Sequence, residues 1–324
     1  MTDDLREQLT KYLTDAHSIE EQALAQLRTA PELAGDPELA RAYREHLEET
    51  EGQEQLVREL LEARGAKPSI AKDTVMKVGG KGFVLFARLQ PDTPGKLHAH
   101  ALSYEALELS SYELLRGVAE RAEEPEVVAA AERIGAEEQR MMERLEGGFD
   151  RAVEASLREF GRSELTEQLR KYLADAHAIE EQAIAMLERG PRLAGSPTLA
   201  NIYAEHLEET REHAELIEER LSTLGGDPST LKDAAMRLGA LNWAAFFRGH
   251  PDTPGKLAAF ARAFEYLEIG GYEQLRRVAE RTGEKATEQA VERILAQERE
   301  AAARIAGAFG EAVEASLESQ RVAR

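Results

Sequence analysis

The 324-residue sequence contains no cysteine. Disulfides, thiolate nucleophiles and thiolate metal sites are therefore excluded, and any metal must be held by carboxylate, imidazole or amide groups, which select hard or borderline ions. Long apolar runs are missing as well. Charge interrupts every hydrophobic stretch before it reaches membrane-spanning length, so no membrane partner is expected. The first residues, M-T-D-D-L-R-E, are acidic where a secretory signal would be basic and then apolar, and a cytoplasmic location is the expectation. Positive charge is scarce: 41 Lys and Arg stand against 61 Asp and Glu, a net charge of −20. Such a surface repels nucleic acid and anionic lipid, so no nucleic-acid partner is expected either.

What is present is a domain written twice. Shifting the sequence by 160 residues aligns K-Y-L-T-D-A-H-S-I-E-E-Q-A with K-Y-L-A-D-A-H-A-I-E-E-Q-A, and superposes two copies of P-D-T-P-G-K-L. No gap is needed, and roughly half of the aligned positions are identical. The seam falls near F-G-R-S, giving domains at 1–160 and 161–324.

Punctuation within each copy marks four long helices. The first spans about residues 3 to 29 and stops at A-P-E-L-A-G-D-P; the second opens with Asp36 as cap and Pro37 in the first turn, and ends near G-A-K-P-S. The third opens at D-T-P-G, with Thr93 as cap before Pro94, and the fourth runs from E-P-E near 125 to the seam. Short turns join helices one to two and three to four, which makes antiparallel hairpins, whereas nearly thirty residues separate helices two and three. An all-α pair of tandem four-helix bundles is expected, each with a long crossover, containing a short helix, between helices two and three.

The inner faces carry acids. Glu20 lies among Ala16, Ala23 and Leu27, and its copy Glu180 among Ala176, Ala183 and Leu187. On helix two, H-L-E-E-T-E-G-Q and H-L-E-E-T-R-E-H align His46, Glu49 and Gln53, and then His206, Glu209 and His213, at i, i+3 and i+7. Helix three adds Glu105, Glu108 and Tyr112, mirrored by Glu265, Glu268 and Tyr272; helix four adds Glu138 beside Ile134, Met141 and Leu145, mirrored by Glu298. In a chain that is 31% charged, any one such Glu reads more simply as a solvated flank residue, and a lone His17 or His177 as a hydrogen-bonded core side chain. Acids at mid-height on all four helices of both copies are harder to dismiss. Packed together without lysine or arginine they repel one another and resist desolvation, and divalent cations are the economical compensation. Tyr112 and Tyr272 read equally as hydrogen-bond partners of the acids or as core aromatics; Met141 and Met142 read as packing.

S-I-E-E-Q-A-L, H-L-E-E-T-E-G-Q, Y-E-A-L-E-L-S-S-Y and A-E-E-Q together resemble the YciE/YciF family of ferritin-like proteins, here as a tandem duplicate. The resemblance implies a carboxylate-bridged dinuclear centre of iron or manganese and a link to stress responses. The ligands it implies are Glu20, His46, Glu49, Glu105, Glu108 and Glu138 with Gln53 as a neighbour, then Glu180, His206, Glu209, Glu265, Glu268 and Glu298 with His213. The sequence departs from it in two places: helix two reads His-x-x-Glu where ferritins read Glu-x-x-His, and Met142 and Ala302 stand where a further acid is expected. Function then divides between a di-iron or di-manganese protein reacting with oxygen or peroxide, ferroxidase-like or manganese-catalase-like, and a metal-free structural or interaction module. Duplication leaves open an intramolecular pseudo-dimer or a homo-oligomer.

Overall fold

The computed structural model describes residues 3–68, 93–228 and 252–320. Among these residues the chain is all-α, in two compact units that divide between Ser156 and Leu157. The crossovers expected between helices two and three lie outside the described residues.

Repeat 1 consists of α1 (Asp3–Leu27), α2 (Ala30–Leu33), α3 (Pro37–Ala63), α4 (Thr93–Arg121) and α5 (Pro125–Leu157). Repeat 2 consists of α6 (Arg162–Leu187), α7 (Gly190–Leu193), α8 (Pro197–Thr223), α9 (Thr253–Thr282), α10 (Lys285–Gly307) and α11 (Phe309–Ser319). The start of α3 follows from its sequence. Asp36 accepts from the amides of Glu38 and Leu39 at 2.9 and 3.1 Å, and Pro37 fills a position whose N–H would have no helical partner. Past its end, Gly65 adopts φ +70°, a left-handed conformation that stops the helix cheaply only at glycine.

Three details differ from the pattern read in the sequence. The A-P-E-L-A-G segment, expected as a plain stop, holds the one-turn helix α2, and α7 stands at the same place in repeat 2. Thr93, expected as a cap, is itself the first helical residue of α4, as Thr253 is of α9; the cap position before α9 is Asp252, whose side chain makes no capping bond. The fourth helix of repeat 2 is interrupted at Ala308, where Gly310 replaces the Asp150 of repeat 1 and weakens the helix.

In repeat 2, α6 packs against α8 and α9, and α10 packs against α8 and α9, closing a four-helix ring. In repeat 1, α1 packs against α3 and α4, while α5 meets α4 where His98 Nε2–H donates to the Leu145 carbonyl at 2.7 Å. Leu9, Leu13, Leu102, Leu115, Ile134 and Leu145 are buried layers of this core, each contributing about 1.5–3 kcal/mol of hydrophobic stabilisation.

His98 also explains a glycine. A Cβ at Gly148 would meet the His98 ring at 2.7 Å; repeat 2 has Ala258 and Ala308 at the two positions, a paired exchange. Gly148→Ala is therefore expected to cost about 1–3 kcal/mol in the wild type and much less in a His98→Ala background. A double-mutant cycle from melting curves checks this; an equal cost in both backgrounds would show that the ring is not what demands glycine.

Candidate metal centre

Each long helix of repeat 1 delivers a polar side chain to one level of the bundle: α1 brings Glu20, α3 brings His46, α4 brings Glu105 and Glu108 one turn apart, and α5 brings Glu138. All five are buried, with exposures of 0–3%. Ligand atoms of His46, Glu105, Glu108 and Glu138 lie within 4.8 Å of one another, as do those of His206, Glu265, Glu268 and Glu298 in repeat 2. His46 Nε2 is 2.9 Å from Glu105 Oε2 and 3.5 Å from Glu138 Oε2; His206 repeats this with Glu265 at 2.8 Å and Glu298 at 3.5 Å.

Gln53 stands on the other side of Glu138, and Glu20 lies near enough to add to the effect of burial in raising the Glu138 pKa. Gln53 Nε2 donates to Glu138 Oε1 at 2.6 Å and to Glu137 Oε2 at 3.1 Å, and the Tyr112 hydroxyl donates to Glu20 Oε1. Repeat 2 forms a second group here, in which Glu180, His213 and Glu298 bring ligand atoms within 4.8 Å; the Tyr272 hydroxyl donates to Glu180. Both tyrosines are thus hydrogen-bond partners of the acids. Met141, Met142 and Ala302 are buried packing residues.

Glu49 and Glu209 do not join these groups. Glu49 Oε2 lies 3.2 Å from His46 Nδ1 and Glu209 Oε2 3.0 Å from His206 Nδ1, on the outer edge of each ring. The Glu49 side chain is 34% exposed, and Glu209 also accepts from Arg304. Hydrogen bonding to His46 holds the Glu49 pKa low; that of Glu209, where His206 and Arg304 outweigh the effect of burial, falls to about 2. Each is ionised and accepts from Nδ1–H, which turns Nε2 toward the acids, the orientation in which outer carboxylates fix metal-binding histidines.

The inner acids behave oppositely. Burial pushes Glu20 up to about 8 despite the Tyr112 hydrogen bond. Burial, reinforced by Glu138, Glu20 and Glu105, raises Glu108 well above the carboxylate range, and burial with Glu105 does the same to Glu138. In repeat 2, burial carries Glu180 to about 8 and Glu298 to about 7. Burial alone would depress His46 and His206, yet Glu105 and Glu265 dominate with help from the other acids; His46 is held well above its usual value and His206 at about 11.

These acids lack what buried carboxylates ordinarily have. Both oxygens of Glu108 and of Glu268 are buried without a hydrogen-bond partner, as is Oε2 of Glu20, while Oε2 of Glu105 and of Glu138 meet only the Nε2 edge of His46. Leaving such groups unpaired is costly, and under-partnered carboxylate oxygens converging on the Nε2 edge of an imidazole fit a divalent cation that takes the place of the ring's Nε2 proton. The buried His/Glu groups of both repeats have the donor set and spacing that could hold a metal ion.

Sequence reading missed one further cluster. His17 Nε2 lies 2.8 Å from Glu54 Oε1, which also accepts from Arg58 Nε at 3.0 Å, and Glu21 completes a group of metal-ligand type. The signal was Glu54 four residues before Arg58 on a helix. Arg58 already balances Glu54, and repeat 2 has Ala214 instead, so the cluster reads as an ion pair.

No helix among the described residues is long and apolar enough to cross a membrane. No solved structure matches the chain. The family described as "Domain of unknown function (DUF892)" matches it twice, over residues 4–158 and 164–318, and the chain therefore belongs to that family as a tandem repeat.

Proposed function

We propose that each repeat, residues 1–160 and 161–324, is a ferritin-like bundle of the YciE/YciF kind that holds a carboxylate-bridged pair of iron or manganese ions and reacts with oxygen or peroxide in a stress role. One observation carries the reading. The two oxygens of a single carboxylate face different pockets: Glu138 turns Oε2 toward His46 at 3.5 Å and Oε1 toward Gln53 at 2.6 Å, and Glu298 turns Oε2 toward His206 at 3.5 Å and Oε1 toward His213 at 2.8 Å. A carboxylate so placed is suited to bridge two cations, and acids from three of the four long helices supply the compensating charge, with an imidazole from the fourth.

His46, Glu105 and Glu108 would hold one ion of repeat 1 and Glu20 the other, with Glu138 between them; His206, Glu265, Glu268, Glu180 and Glu298 correspond in repeat 2. Reducing peroxide to two waters takes two electrons and two protons, and a pair of reduced metal ions held by these residues would supply the electrons, each ion losing one. Glu49 and Glu209 orient the imidazoles, while Tyr112 and Tyr272 fix Glu20 and Glu180 through donated hydrogen bonds.

The test is anaerobic loading with Fe(II), followed by oxygen or peroxide while oxidation is followed by near-ultraviolet absorbance; manganese-loaded protein is assayed for oxygen release from peroxide. Glu138→Gln with Glu298→Gln is expected to slow the reaction at least about tenfold, the scale of losing even an outer partner of a metal site. An unchanged rate would mean that these carboxylates bridge nothing, and wild-type protein inert toward both oxidants would favour the metal-free module.

A further inference from the structure

The two repeats are not chemically equivalent on the far side of the shared carboxylate. In repeat 1 that pocket has Gln53, whose amide nitrogen donates to Glu138 and Glu137 at 2.6 and 3.1 Å. An amide nitrogen has no lone pair for a metal, and turning the amide over would aim its oxygen at two carboxylates. In repeat 2 the same place has His213, and the residue it meets on α10 has changed with it: Gln297 stands where Glu137 stood. His213 Nε2–H donates to Gln297 Oε1 at 3.1 Å. The amide oxygen thereby holds the proton on Nε2 and turns Nδ1 inward as the nitrogen a cation would meet, 2.8 Å from Glu298 Oε1 and 3.9 Å from Glu180 Oε2. The three side chains are buried, and apart from the contact between Nδ1 and Glu298 neither Nδ1 nor the facing oxygens of Glu180 and Glu298 meet a hydrogen-bond partner.

The geometry points to a nitrogen-bearing cation pocket made by Glu180, His213 and Glu298 and oriented by Gln297, which gives repeat 2 a stronger second ion site than repeat 1 and a preference for borderline ions such as Co(II) or Zn(II). Resting on the dinuclear reading above, it adds that the duplication has produced two unlike sites in one chain. Imidazole suits first-row borderline ions better than an amide does, and the pair of exchanges, Gln to His and Glu to Gln, turns a donor-facing amide into a ligand-facing nitrogen.

Full-length apo-protein is titrated anaerobically with Co(II), following visible ligand-field absorption and heat. Losing an outer-shell partner weakens metal affinity about 10- to 100-fold, and losing a direct nitrogen ligand should weaken it by at least as much. His213→Gln is thus expected to weaken one class of bound Co(II) by at least about tenfold and remove its nitrogen-dependent absorption. Gln53→His combined with Glu137→Gln, which rebuilds the pair in repeat 1, is expected to create a second tight class; this gain does not depend on His213→Gln folding well. If Co(II) binds but neither variant moves the isotherm, the pocket is not a nitrogen site and the dinuclear reading survives. If wild-type protein takes up no Co(II) at all, the dinuclear reading fails and this inference with it.

Discussion

Replacing Glu108 and Glu268 by Leu is expected to raise the melting temperature of the metal-free protein while abolishing cation uptake at both repeats. The two side chains are buried with every carboxylate oxygen unpartnered, and burial, reinforced by Glu138 at Glu108 and by Glu298 at Glu268, raises their pKa well above the ordinary value. Without a cation each is a liability in the folded state, whether it keeps its proton or is forced to ionise. Exchanging buried ionic groups for apolar ones of similar size stabilises proteins by about 1–4 kcal/mol, and each kcal/mol moves the midpoint of a domain this size by about 2–4 °C. Melting curves in chelator and in Mn(II) separate the two effects. A double variant that is less stable in chelator yet still binds Mn(II) would make these glutamates structural.

The second large effect is an unusual pH dependence. Apo-protein is expected to lose stability as pH rises from about 6.5 to about 8, where most proteins are flat. Glu20 and Glu180 at about 8 and Glu298 at about 7 lie far above the unfolded value, so the folded state keeps protons that the unfolded chain has already released. His206 at about 11 and His213 at about 8 act with the same sign, because a raised histidine contributes fully below its unfolded pKa and loses that contribution as pH climbs. Each proton held by the folded state alone steepens the fall by about 1.4 kcal/mol per pH unit. The opposing groups titrate lower: Glu209 near 2, and His100, which burial holds near 4. Metal reverses the trend, since cations compete with the same protons and bind more tightly as they leave. Denaturant titrations at pH 6.5 and 8, with and without Mn(II), check both signs; apo stability that rises over this window would show that the inner acids ionise freely in the fold.

Much of this was legible in the sequence because helical spacing is a geometric rule. Glu105 and Glu108 had to share a face, and Glu20, His46 and Glu138 had to lie at mid-height of apolar stripes, so their meeting needed only the bundle topology. Spacing could not say which edge of an imidazole meets which acid. Glu49 sits one turn from His46 on the same stripe, yet that places it at Nδ1, outside the group that converges at Nε2. Pairings between helices were hidden for the same reason: the contact of Gln53 with Glu137, its replacement by His213 with Gln297, and the fit of Gly148 against His98 join residues far apart in sequence. Side-chain direction, set by packing rather than by period, decides all three.

The most direct test of the bridged-pair reading is elemental analysis of full-length protein reconstituted anaerobically with Fe(II) or Mn(II), desalted, and compared with the Glu138→Gln, Glu298→Gln variant. About two ions per repeat, as a two-metal site requires, falling by at least half in the variant, is the expected result. Wild-type protein that retains no ion above trace, or a variant that keeps the full complement, would contradict the claim that Glu138 and Glu298 each join two cations.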